Sequence, residues 1–200
     1  SAVVENTAVS HFYSPESTHR SGAIAGFISL YADNENVIHI RKCISAQSNI
    51  VGGLCAGGIL GHCAKPIVMS DCLSMAVVAD NHSRGTLIGT VDTYQRVTVK
   101  NCLTLEKGRA ASLHYSNNGM IPELKNVYST AVSLRVKRIS ESDVTGSRAA
   151  DTLSGFDFEN VWQTVEGGTP VPRAFAAERY SLFRNSVSLT LEFTDGTVKT

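Results

Sequence analysis

The stretch "GGILGHCAKPIVMSDC", Gly57 to Cys72, decides the fold, because both of its ends recur elsewhere in the chain. "GAIAGFISLYADNENVIHIRKC" (Gly22–Cys43) and "GTLIGTVDTYQRVTVKNC" (Gly85–Cys102) follow the same plan. Each opens on a Gly-x-apolar-x-Gly box and closes on a short strand-like run ending in Cys. Aligning on that final run extends the series to "VENTAV" (Val4–Val9), "IRKCIS" (Ile40–Ser45), "MSDCLS" (Met69–Ser74), "VKNCLT" (Val99–Thr104), "LKNVYS" (Leu124–Ser129) and "FENVWQ" (Phe158–Gln163). The fourth position holds Thr7, Cys43, Cys72, Cys102, Val127 and Val161, residues of similar size that suit one tight interior slot.

Spacing between these slots runs from about 25 to about 36 residues, the range of a solenoid coil. Such irregularity argues against a propeller and suits coils whose turns vary while their strands stay stacked. Helix signals are poor. Val, Ile, Leu and Thr come in short runs bounded by turn residues, densest at 33–36, 80–85 and 116–119. "AAERYSLF" (Ala176–Phe183) reads as a short helix. "SVSLTLEF" (Ser186–Phe193), followed by "TDG", reads as a hairpin. The expected organisation is a parallel β-helix of about six irregular coils over residues 1–175. Residues 176–200 are expected to form a C-terminal cap, hairpin or linker.

In stacked parallel strands, equivalent residues lie about 4.8 Å apart. Ile24, Ile59 and Leu87 are therefore expected in one column, and Cys43, Cys72 and Cys102 in another. Box glycines are expected at corners, where φ is positive or backbones pass closely. Thiols of one ladder point the same way, so a disulfide is disfavoured. Nor can such a column surround a metal ion, so no metal and no cofactor is expected. The five cysteines form no C-x-x-C pair.

The boxes resemble the GLUG motif of bacterial surface proteins, best in "VGGLCAGGILG" (Val51–Gly61) and "VKNCLT" (Val99–Thr104). The end, "GFDFENVWQTVEGGTPVPRAF" (Gly155–Phe175), resembles the closing turn of such arrays. The first box departs at Ala25, and the fourth unit has only "SNNGMIPEL" (Ser116–Leu124). What the resemblance implies is a right-handed parallel β-helix on a secreted or cell-surface bacterial protein. It implies no single chemistry.

Composition narrows the partners. Eighteen basic and eighteen acidic residues cancel, so no net field draws nucleic acid or an anionic membrane. No apolar run reaches the roughly 20 residues of a spanning helix, and "SAVVENTAVS" lacks the form of a signal peptide. Because the chain starts on Ser, any targeting segment is expected to lie outside it.

Enzyme signatures are missing: there is no Gly-x-Ser-x-Gly elbow, no phosphate loop and no Asp-Asp pair. Asp33, Glu35, Asp71, Asp92 and Glu159 read as solvated acids, and the six histidines show no useful spacing. Tyr31 and Tyr94 each fall five residues after the last Gly of a box, with Pro66 between them in the series. They are the expected ligand-binding pair, able to stack on sugar rings or a protein. Trp162 is expected to cap the last open layer. The expected function is a non-catalytic adhesion module for a glycan or protein. The alternatives are a carbohydrate-active enzyme or a spacer without a ligand.

Overall fold

The computed structural model describes residues 1–15, 19–29, 36–51, 54–79, 83–92, 95–105, 114–116, 122–131, 136–181, 191–192 and 198–199. It is a parallel β-helix. Each pass contributes strands to three stacks, and every pairing within the stacks is parallel. In the largest stack Ala2–Glu5, Ile38–Arg41, Ile67–Ser70, Val97–Thr104 and Glu123–Ser129 lie in register, with Val4, Ile40, Met69, Val99 and Leu124 in one column. Lys137–Arg138 adds the start of a sixth rung on Glu123–Ser129. The second stack comprises Arg20–Gly22, Cys55–Gly57 and Ser83–Gly85. The third comprises Ala25–Ile28, Leu60–Cys63, Ile88–Val91 and His114–Ser116.

The slot column forms as expected, and its cause is a backbone corner. The residue before each slot is left-handed: Asn6 (φ 53), Lys42 (φ 51), Asp71 (φ 56), Asn101 (φ 50) and Asn126 (φ 52). Asn and Asp tolerate this region better than most residues. The slot side chain then closes the corner. The Thr7 hydroxyl donates to the Glu5 carbonyl at 3.2 Å, and the thiols of Cys43, Cys72 and Cys102 donate to the carbonyls of Arg41, Ser70 and Lys100 at 3.2–3.3 Å. A slot thus wants a small residue with a donor; Val127 has the size alone. Outside it a polar ladder follows the corners, with Asn126 donating to Asn101 at 3.1 Å and Asn101 to Asp71 at 3.2 Å.

Ile59 and Leu87 stack as expected, fully buried, and Ile24 packs against the same core. The glycines beside them are required by crowding, not by φ, since none of Gly22, Gly26, Gly57, Gly61 and Gly89 has a left-handed φ. A Cβ on Gly57 would strike the Leu60 carbonyl oxygen and approach Gly89 N to 2.6 Å. One on Gly61 would lie 2.7 Å from Ser21 N. The second and third stacks are folded against each other too closely for any side chain there.

The segment "FENVWQ" does not form a sixth ladder strand. Asp157 accepts the backbone N–H groups of Glu159 at 3.0 Å and Asn160 at 2.8 Å, turning the chain. Trp162–Val165 then pairs antiparallel with Gly168–Pro172. This hairpin belongs to an arm that begins after Arg138 and includes a 3₁₀ turn (Glu141–Val144) and helices Arg148–Thr152 and Ala177–Tyr180. Its side chains Val144, Leu153, Phe156 and Trp162 join Ile44, Leu73, Leu103 and Tyr128 in a second buried cluster. Those last four follow the slots and face away from the inner core. The arm therefore runs along the flank of the coils. Its last helix reaches Ser10, His11 and Gln47 beside a hollow of about 170 Å³. Trp162, expected over the last open layer, is fully buried in the second cluster, its ring centred 4.8 Å from that of Phe156. Near the C-terminus Leu191–Glu192 pairs antiparallel with Val198–Lys199, as a hairpin requires.

Candidate functional site

Tyr31 and Tyr94, together with the turn segments 33–35, 80–82 and 117–119, lie outside the described residues. The third stack, whose strands Ala25–Ile28 and Ile88–Val91 end three residues before each tyrosine, carries a polar cluster instead.

Three coils build it. Phe27, His62 and Thr90 are register partners on successive strands, so they form one column on one side of the sheet. Arg20 comes from the first strand of the second stack, which the glycine crowding holds close. Asp92 follows Val91 and is fixed by its backbone N–H donating to the Cys63 carbonyl at 2.9 Å. Arg20 Nε donates to His62 Nδ1 at 2.6 Å, and His62 Nε2 lies 2.6 Å from Asp92 Oδ1. Guanidinium has no acceptor, so Nδ1 must be unprotonated. The ring is then the Nε2–H tautomer and donates to Asp92.

Both nitrogens of His62 are committed and the residue is only 7% exposed, so it cannot work as a free general base. Its role is to hold a cation and an anion on opposite sides of one rigid ring. The Arg20 guanidinium carbon stands 4.3 Å over the Phe27 ring, and the His62 ring is centred 5.0 Å from it. Phe27 nevertheless keeps 43% of its surface exposed, and the Asp92 side chain 39%. The Thr90 hydroxyl is buried and has no hydrogen-bond partner among the described residues.

All five cysteines are free and buried. Hydrogen bonding to Cys72, together with burial, pushes the Cys43 thiol far up. Burial does the same to Cys72 and pushes Cys63 up to about 11. Neutral thiols are neither nucleophiles nor good metal ligands, and no group of three or more metal-ligating side chains occurs among the described residues. Several of the described acids are engaged in structure. Glu5 pairs with Arg41 at 2.8 Å and Lys42 at 3.4 Å, Asp71 accepts from Asn101, and Asp143 caps the 3₁₀ turn.

Sequence reading passed over Arg20, Phe27 and His62 and took Asp92 for a solvated turn acid. A signal was present: His62 and Asp92 are separated by 30 residues, the same step as from Cys72 to Cys102. Groups one coil apart become neighbours. Compared with protein-family models, curated proteins and solved structures, the chain has no match.

Proposed function

We propose that this chain is a non-catalytic glycan-binding module of a secreted or cell-surface protein with GLUG-like repeats. The observation that carries the reading is the Arg20–His62–Asp92 relay beside the exposed Phe27 ring. It offers an apolar surface, hydrogen-bond donors and an acceptor on a stiff sheet, the mixture with which proteins hold small polar ligands. The same relay speaks against catalysis, because its histidine is saturated and Asp92 is its single carboxylate among the described residues, whereas glycoside hydrolysis uses a pair. A β-helix by itself does not choose between binding and chemistry.

A glycan array probed with the labelled protein, followed by assay of the same glycans for new reducing or unsaturated ends, tests the reading. Binding without product is the expected result. Product release would return the carbohydrate-active enzyme, and binding to no glycan would leave a protein ligand or a spacer.

A further inference from the structure

We propose that the hollow between the first coils and the last helix of the arm is a binding site for a small, ring-bearing monocarboxylate, with Arg179 pairing its acid group. The site shares no residue with the Arg20–His62–Asp92 cluster and stands apart from the glycan reading.

The space follows from the register. Ser10, Ala46 and Met75 are partners on three successive coils. The Leu105 N–H donates to the Ser74 carbonyl at 2.9 Å, which brings Leu105 into the same column. This column lies on the face that the arm covers, since Ala46, Met75 and Leu105 share a buried cluster with Trp162. Its side chains shrink toward the first coil, from Leu and Met to Ala and Ser. Where they are small the arm does not close on them, and about 170 Å³ stays open beside Ala177–Tyr180. A cavity of about 150 Å³ takes a benzene ring, so one six-membered ring with its acid group is the size that fits.

The first two coils also carry a lip. His11 and Gln47 follow Ser10 and Ala46, both left-handed (φ 59 and 49) and both exposed. The His11 N–H donates to the Ala46 carbonyl at 3.1 Å, which sets the two residues side by side on neighbouring coils. The third coil has one residue fewer here, because Met75 and Val77 pair with Ala46 and Asn49 and leave Ala76 opposite both Gln47 and Ser48. Such a bulge re-aims a side chain, and His11 and Gln47 both line the hollow.

The arm supplies Arg179 and Tyr180. The Tyr180 ring packs edge-to-face with Phe175 at 5.6 Å, and the Arg179 guanidinium carbon lies 5.5 Å from the Tyr180 ring centre. Arg179 makes no ion pair or side-chain hydrogen bond among the described residues. Nor do the side chains of Ser10, His11, Gln47 and Tyr180 hydrogen-bond any of them. All five can donate: a guanidinium has donors only, and the hydroxyls, the amide and the imidazole each carry at least one O–H or N–H. A hollow lined by donors suits an acceptor. No described acid lines it, for Glu178 is beside Arg179 in the chain but outside the lining. One cation matches one negative charge, and a carboxylate fits the guanidinium fork with two parallel hydrogen bonds. A phosphate dianion would leave a charge uncompensated. Met75, Ala46 and the Tyr180 ring give the body of the acid its apolar contact. A ligand held this way touches coils and arm together, so binding fastens the end of the arm.

The test titrates the whole isotope-labelled chain with benzoate and glucuronate, following its amide signals by NMR. Benzamide and glucose serve as neutral counterparts, and inorganic phosphate as the rival anion. At least one carboxylate should bind, with shifts centred on residues 10–11, 46–47 and 179–181, and its neutral counterpart about tenfold more weakly. A response to glucuronate makes the ligand a sugar acid, and a response to benzoate alone makes it a free organic acid. Arg179→Gln, at an exposed position, should weaken binding about tenfold with the unfolding midpoint unchanged, and Tyr180→Phe about threefold. Hydrogen exchange at residues 177–181 should slow when the acid is bound. Equal binding of acid and neutral counterpart, or binding that survives Arg179→Gln, would overturn the site. Phosphate bound more tightly than either carboxylate would overturn the class. Silence toward both carboxylates would overturn the proposal while leaving the glycan reading as it stands.

Discussion

In the coils Val4, Ile40, Met69, Val99 and Leu124 lie over one another in register, and the corner at Asn6 recurs at Lys42, Asp71, Asn101 and Asn126. In the arm nothing recurs. Trp162, Phe156 and Leu153 each occur once, and each fills a particular gap on the flank of the stack. The coils gain order from backbone repetition, so one substitution meets the same neighbours above and below. The arm gains its place from unlike side chains meeting once, so its energy is concentrated in few residues. The difference predicts that damage to the arm detaches it, whereas damage to a corner or a box loosens the stack.

Trp162→Ala should have the largest effect. A fully buried indole lost from such a cluster costs about 3–5 kcal/mol. Denaturant unfolding would report the loss, and protease would cut within the arm before the coils. Simultaneous cleavage throughout the chain would erase the distinction between the two regions.

Gly57→Ala tests the other side. Its Cβ meets backbone of its own coil and of the next, which cannot rotate away as a side chain can. Overpacking of this kind costs about 3 kcal/mol, and hydrogen exchange should rise in both glycine-lined stacks while the arm stays docked. A mild effect, below about 0.5 kcal/mol, would mean the stacks part more easily than their spacing suggests.

A smaller change sharpens what the slot requires. Cys72→Val installs the side chain that the slot already takes at Val127 but removes the donor to the Ser70 carbonyl, for about 1 kcal/mol. Cys72→Thr keeps a donor, as Thr7 does, and should be the milder of the two by thermal melting. Equal stabilities would reduce the slot to a question of size.

These contrasts explain what the sequence reveals. Repeated positions are legible because stacking imposes the same demand on every coil: a small slot residue, an apolar residue three places earlier, and glycines where backbones touch. The corner was legible in part, for Asn or Asp at four of its five positions marks a left-handed residue, while Lys42 hides it. The apolar residue after each slot was visible, yet nothing in the pattern says that Ile44, Leu73 and Leu103 face outward to an arm. "FENVWQ" imitates the motif, but Asp157 turns the chain first. The polar cluster was obscured for the opposite reason to the coils. Phe27, His62 and Thr90 share a column without sharing a chemistry, so only the register brings them together.

The weakest test concerns that turn and depends on pH. Backbone and side-chain hydrogen bonds from Asn160, helped by the Glu159 N–H, hold the Asp157 carboxyl below its ordinary 3.8. A carboxylate lowered on folding binds fewer protons in the folded chain than in the unfolded one. Its contribution is therefore complete above the unfolded value and is lost as pH falls through the folded value. The melting temperatures of wild type and Asp157→Ala should differ at pH 6, begin to approach one another only below about pH 4, and converge as the pH falls through the lowered folded value. Asp143 is held low in the same way, first by the Ser140 hydroxyl, so Asp143→Ala should behave alike. Both acids sit in the arm, whereas the stacked interior is built from neutral thiols and aliphatic side chains. Acid below about pH 4 should weaken these two arm turns and, in the coils, the pairing of Glu5 with Arg41 and Lys42, whose carboxyl is also held low; loss of the coil signal before that of the arm would assign the more acid-sensitive contacts to the stack.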